Sequence, residues 1–275
     1  MALRLNEFDP SRIKSNSTIL IIGKRGSGKT VLMKDIAYNL SKNRKIDMAV
    51  GFSATEDSNK NLSAFIPSSL IHKRYKPEVV QKIYSMQQKH SKKGRMQNVA
   101  LILDDVLYEK GQFNNDLIRK IFFNGRHYNL MVMLLAQYSM DLNPSLRGNV
   151  DLVFVARDLV FANRERLYKN FFGIFPTFSA FDKVMQKVTQ NYTFLVLVNN
   201  DARSTKPEDV LFYYRAKDDL PEFGLGKKIY FKYDDRVGKK EEDEPESATG
   251  FNKSTKIILE GKKRRSRMSM AFTRK

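Results

Sequence analysis

Residues 18–40 read TILIIGKRGSGKTVLMKDIAYNL. Four apolar residues run into a glycine-rich turn, and the chain leaves it with Leu32, Ile36 and Leu40 four residues apart, Met33 and Ala37 beside them. The first pattern is a fully buried strand, the second a helix with one buried face. Between them Gly23, Gly28, Lys29 and Thr30 fit the spacing G-x-x-x-x-G-K-[ST]. Chemistry demands these types: glycines let successive N–H groups turn towards phosphate oxygens, and the helix start adds partial positive charge. Lys29 would reach the β- and γ-phosphates, and the Thr30 hydroxyl would ligate Mg²⁺. The whole loop, Gly23, Lys24, Arg25, Gly26, Ser27, Gly28, Lys29 and Thr30, is therefore the candidate nucleotide site. Lys24 and Arg25 either touch phosphate or face solvent.

A chain that begins this way continues as an alternation. Strands are expected at Ser17–Ile22, Ile46–Phe52, Asn98–Asp104, Leu130–Ala136 and Val150–Ala156. Helices are expected at Pro77–Lys92 (an exposed one, with proline in its first turn), around Phe113–Phe122, at Asn163–Phe172 and at Phe178–Val188. Tyr192–Val198 and Val210–Ala216 read as two late strands, joined closely enough to pair antiparallel. This is an α/β chain with a doubly wound, mostly parallel sheet and late antiparallel edge strands. Residues 53–97 are either an ordinary crossover or an insertion that contacts DNA. Residues 1–237 form the folded domain. Residues 238–275 are a charged linker, GKKEEDEPESATG, and a basic tail containing KKRRSR, expected to be disordered when free.

The formal net charge is +19 over 275 residues, which favours polyanionic partners. There is no cysteine, so disulfides and thiolate metal sites are excluded. His72, His90 and His127 are scattered and make no zinc pattern. No stretch approaches the about 20 apolar residues that cross a bilayer, and no secretory leader is evident, so a soluble intracellular protein is expected.

Two further strand ends carry chemistry. LILDD closes one at Asp104 and Asp105. A phosphate-loop hydrolase needs a carboxylate at a neighbouring strand end to hold Mg²⁺, and Asp104 fits. Asp105 stands where a carboxylate would polarise the attacking water, with Glu109 as fallback; the alternative is a turn or capping pair. GRHYNLMVMLLAQ ends a strand at Gln137, which would bond the γ-phosphate or the lytic water, or simply leave the core. Arg126 contacts phosphate in cis or in trans, or makes a structural ion pair.

The ordered set ILIIGKRGSGKT, LILDDV, FNGRHYNLMVMLLAQ, LRGNVDLVFVARD and VLFYYRA resembles the genome-packaging ATPases of large double-stranded DNA viruses of eukaryotes, of poxvirus, iridovirus and mimivirus type. These belong to the FtsK–HerA superfamily of P-loop DNA translocases, with a RecA-like fold. The resemblance spans about residues 15–220. It implies that Lys29 and Thr30 bind ATP and Mg²⁺, that Asp104 and Asp105 form the second acidic motif, and that Gln137 is a sensor. Many such motors carry glutamate where Asp105 stands; the viral branch often has the aspartate pair. It also implies a ring, usually hexameric, threading double-stranded DNA, with an arginine finger supplied across the subunit boundary. Arg126 and Arg147 rank first for that role, ahead of Arg157 and Arg164. A capsid or portal-like vertex protein is the implied partner, and the host-cytoplasm viral factory, or the virion, the implied place.

Two other functions compete: a P-loop kinase of a small molecule, and a nucleotide-gated DNA-binding protein without turnover. The basic cluster Lys262–Arg267 holds DNA, binds an acidic partner, acts as a nuclear address or is simply solvated.

Overall fold

The central parallel strands are apolar along most of their length because both faces of the sheet are covered there. In the computed structural model, which describes residues 3–106, 115–137, 142–199 and 206–242, the order is β1 (Asn6–Glu7), β2 (Thr18–Ile22), α1 (Lys29–Lys42), β3 (Met48–Ser53), α2 (Glu56–Asn59), β4 (Ile71–His72), α3 (Pro77–Ser91) and β5 (Val99–Asp104). There follow α4 (Asp116–Asn124), β6 (Leu130–Ala136), α5 (Pro144–Arg147), β7 (Leu152–Val155), α6 (Phe161–Phe171), α7 (Phe178–Val188), β8 (Thr193–Val198), α8 (Pro207–Val210), β9 (Leu211–Arg215) and α9 (Lys228–Glu242). The strands form one sheet in the order β1-β9-β8-β7-β2-β6-β5-β3-β4. Every residue of β2, β3, β5 and β7 is buried.

Among the described residues only β8 runs against its neighbours: β7–β8 and β8–β9 are antiparallel and the remaining pairs parallel. The late antiparallel pair is thus β8 and β9, and β1 covers the outer edge of β9. The chain goes from β2 to β3 in one direction across the sheet and returns through β5, β6 and β7. Right-handed crossovers then place α1 on one face and α3, α4 and α5 on the other. The contacts agree, since α3–α4, α4–α5, α5–α6 and α6–α7 touch in series. The chain direction reverses around β2, so the crevice beyond its carboxyl end is where an open α/β sheet binds ligands.

One expectation changes, and one of two alternatives is met. The helix at Pro77–Ser91 is not simply exposed: Val80, Ile83, Tyr84 and Gln87 are buried on one face. Gln87 belongs there because its Nε2 donates to the backbone carbonyl of Tyr128 at 2.7 Å, which offsets the cost of burying the amide. Residues 53–97 form the β3-to-β5 crossover and add β4 to the sheet edge.

No element had been expected over 217–237. This segment crosses the α1 face to the far edge of the sheet. Phe223 meets Tyr38 and stacks on Phe65 at 5.3 Å. The Asp234 carboxylate accepts from the backbone N–H groups of Ser68 and Ser69. Helix α9 runs to Glu242, into the stretch read as the start of the linker; Lys262–Arg267 lie outside the described residues.

Candidate functional site

The loop after β2 owes its shape to three glycines. Gly26 and Gly28 have φ of 76° and 88°, values that glycine adopts without strain. A Cβ on Gly23 would lie 2.4 Å from Ser27 Oγ and 2.7 Å from Ala156 Cβ, so only glycine permits the tight curl. Lys29 opens α1 and turns back into that curl, its Nζ donating to the carbonyl of Gly23 at 2.6 Å and of Lys24 at 3.3 Å. Its pKa is lowered, chiefly by burial; the charges of Asp105 and Asp104 partly oppose this. Ser27 Oγ is buried in the curl with no hydrogen-bond partner among the described residues. A cradle of backbone N–H groups around a buried ammonium suits a polyphosphate.

Strand β6 locates the rest. It lies between β2 and β5, so the aspartate strand is not the immediate neighbour of the loop strand, as the residues had suggested. Its last two carbonyls serve opposite sides: Leu135 accepts from Asp105 N–H at 3.4 Å and Ala136 from Gly23 N–H at 3.1 Å. One strand end therefore holds both loops in register, and Gln137 follows directly. Gln137 Nε2 donates to Asp105 Oδ2 at 3.3 Å. Asp105 adopts φ 50°, a left-handed conformation that aspartate tolerates better than most residues.

Asp104 is buried, and its Oδ2 accepts from Ser53 Oγ at 3.1 Å. Burial, then the adjacent Asp105 charge, raises its pKa above the ordinary carboxylate value; the Ser53 hydrogen bond and Lys29 act in the other direction. A cation here would relieve that penalty. Among the described residues no cluster of three or more acidic or histidine side chains could hold a metal alone. A Mg²⁺ ion keeps several waters and takes one or two carboxylates plus phosphate, so Asp104 and Thr30, which border one cavity, are the side chains that could hold one.

Loop, aspartates and Gln137 line one cavity of 660 Å³, inside the about 300–1,000 Å³ range of small-molecule sites. Lys24, Arg25, Gly26, Gly28, Lys29, Thr30, Asp104, Asp105 and Gln137 all border it. Lys24 also pairs with Asp158 at 3.2 Å. The candidate finger arginines, Arg126, Arg147, Arg157 and Arg164, are not among the residues that border it. Arg126 binds the buried Asp151 at 3.1 Å, and Asp151 in turn accepts from Thr18 N–H, the first residue of β2. That is the opposite end of the strand, about 16 Å away for five residues. Arg147 donates to the carbonyl of Leu142 and lies beside Asn199, at the same far end. Arg164 pairs with Asp182, below the ring of Phe161. Glu109 lies outside the described residues.

Several lining residues had gone unrecognised. Ser53, which bonds Asp104 without itself bordering the cavity, ends a buried strand, the same signal that marks Asp104. Thr55, Asn59 and Asn61 arrive on a loop closed by the Glu56 carboxylate, which accepts from the N–H groups of Leu62 and Ser63. Tyr192, Arg215, Ala216 and Asp218 border the other end. Arg215 stands at the end of an apolar strand, which was visible in VLFYYRA; Tyr192 offered no such signal.

Comparison with known proteins agrees with this fold. The family described as nephrocystin 3, N-terminal, matches residues 4–123, a stretch that holds the glycine loop and the aspartate pair but ends before Gln137. Protein 088R of Invertebrate iridescent virus 3 is 36% identical over 211 residues, covering 77% of this chain and 79% of that protein. Protein L437 of Acanthamoeba polyphaga mimivirus is 32% identical over 230 residues, 80% of each. Among solved structures, the genome packaging NTPase B204 from Sulfolobus turreted icosahedral virus 2, in complex with ATP-gammaS, superposes with a TM-score of 0.55 at 20% identity, covering 76% of this chain and 100% of that one. The chain thus belongs to the family of large-DNA-virus proteins that includes 088R and L437, and it has the fold of the viral genome packaging NTPase B204.

Proposed function

We propose that this protein is an ATP-hydrolysing motor that moves double-stranded DNA into a viral capsid. The observation that carries the hydrolytic part is the Gln137–Asp105 contact, set by β6 beside the phosphate loop. Lys29 and the loop N–H groups bind the β- and γ-phosphates, and Thr30 and Asp104 hold Mg²⁺. Asp105 orients the lytic water, and Gln137, bonded to it, senses the γ-phosphate. Arg126 and Arg147 lie at the far end of the sheet, so either would act only on a neighbouring subunit's nucleotide, within a ring such as a hexamer. The net charge of +19 supports the DNA part of the reading, because lysine and arginine neutralise phosphates and release counterions. So does the kinship with large-DNA-virus proteins and the fold shared with a genome packaging NTPase. A capsid vertex protein as partner and the viral factory as location follow from the same reading.

No arginine-bearing lid closes over the cavity from 147–166 among the described residues, which counts against a small-molecule kinase. Phosphate release, measured with and without duplex DNA beside a native mass determination, tests the proposal. DNA should stimulate turnover several-fold in the assembled ring. A confirmed ring that binds ATP and DNA yet shows no DNA-stimulated turnover would overturn it and favour a nucleotide-gated binding protein.

A further inference from the structure

The cavity extends past the phosphate loop in two directions. Towards β6 and β5 lie Gln137, Asp105 and Asp104; towards β8 and β9 lie Tyr192, Arg215, Ala216 and Asp218. The γ-phosphate end of a bound nucleotide belongs with the acids, so its nucleoside points to the second side. We propose that Tyr192 is the platform on which the nucleobase stacks, and that the preferred ligand is a purine nucleoside triphosphate. The inference rests on the hydrolase reading above and adds its missing base subsite.

Three observations converge on Tyr192. The first is position: a Cβ on Gly28 would meet Tyr192 Cδ1 at 3.3 Å, so the ring lies against the glycine that opens α1. The second is exposure. Tyr192 is 67% exposed, whereas Phe194, two residues on and also facing Gly28, is fully buried. The third is backbone strain. Thr193 N–H donates to the Gln190 carbonyl at 3.0 Å, closing a turn whose central residues, Asn191 and Tyr192, have φ of 50° and 58°. Two positive φ values define the mirror-image type I turn, whose second central position favours glycine. A bulky aromatic there is strained and persists where function or surrounding structure requires it. An exposed ring recovers little of that cost by packing; stacking on a flat ligand recovers it.

The adjoining strand end is held rigidly. The buried Asp35 of α1 accepts from Tyr214 O–H at 2.7 Å, from Lys217 N–H at 3.0 Å and from Asn39 Nδ2 at 3.0 Å. The exit of β9 is therefore tied to the helix that starts at the phosphate loop, and Arg215, Ala216 and Asp218 are fixed along the slot. Val31, 36% exposed on the first turn of α1, supplies an apolar floor. Two polar groups and an apolar side chain that share the cavity with an aromatic ring suit a purine base better than open solvent.

Calorimetric titration of the full-length protein with MgATP, MgUTP and magnesium tripolyphosphate separates base from phosphate recognition. Wild type should bind ATP more tightly than UTP. Tyr192→Gly suits the positive φ and should fold at least as stably as wild type; it should weaken ATP binding about tenfold, leave tripolyphosphate unchanged and narrow the ATP–UTP gap. Tyr192→Phe keeps the face and should bind all three as wild type does. Equal losses for ATP and tripolyphosphate, or unchanged ATP affinity with a fall in native mass, would overturn the platform and make Tyr192 a loop prop or a contact between copies. Wild type that binds neither ligand would instead overturn the hydrolase reading together with the platform.

Discussion

The two ends of the cavity are built differently. Towards β6 and β5, each polar side chain follows a buried parallel strand, and the strands position one another through ladder hydrogen bonds that continue into the loops. Towards β8 and β9, the lining comes from the start of the one reversed strand and from the end of another, held by a carboxylate on α1 that is 179 residues from Tyr214. The first end is a by-product of the sheet, placed as rigidly as the core. The second depends on a few long-range polar contacts and a strained turn. Disturbing the first should stop the chemistry; disturbing the second should change what binds.

The contrast can be broken most forcefully at its centre. Lys29→Ala should abolish phosphate release and binding of both ATP and tripolyphosphate, because the ammonium serves the phosphates rather than the base; unchanged turnover would sink the site assignment. Next, Asp105→Asn and Gln137→Ala should each lower kcat by about 10²–10³ with nucleotide affinity nearly unchanged. If affinity fell as far as kcat, the acid end would be a binding rather than a reacting surface. On the other side, Asp35→Asn should cost stability by about 1–3 kcal/mol, since it disturbs a buried acceptor of three hydrogen bonds. ATP affinity should drop several-fold and tripolyphosphate affinity should hold; thermal melts and titration together report both.

The smallest effect is on pH and stability at Asp104. Its folded-state pKa is raised, by burial and by Asp105. The folded protein therefore holds this proton to higher pH than the unfolded chain does, and the stability that the neutral form contributes is lost as pH rises through the raised value. At neutral pH Asp104→Asn removes the penalty. The unfolding midpoint should rise by about 2–4 °C, the shift that about 1 kcal/mol produces in a domain of this size. In wild type, saturating Mg²⁺ with nucleotide should give a similar gain. A melting point that falls on substitution would mean that Ser53 and Lys29 outweigh the burial.

The acid end was legible in the residues because a polar side chain directly after an apolar run has one physical reading: it emerges from the core at a sheet edge. Asp104, Asp105 and Gln137 carry that signature, the glycine loop follows another such run, and the parallel strands bring these strand ends to one side. The base end was not legible. Tyr192 follows a helix and precedes a strand like many surface tyrosines, and nothing local tells that its backbone is left-handed. The place of the arginines was hidden for the same reason. Arg126 and Arg147 stand near motif residues in the sequence, but both precede their strands, and a strand separates its two ends by its full length.

By itself, then, the sequence determined the alternation of buried strands and one-sided helices, the chemistry of the phosphate loop, and the acids that face it, because apolar periodicity and glycine placement act over short spans. The tertiary structure alone decided that β6 separates the loop from the aspartates and holds both, that Arg126 pairs with Asp151 at the far edge, and that Tyr192 meets Gly28 across the cleft. Strand order and long-range contact depend on which faces bury together, and no short stretch of chain encodes that choice.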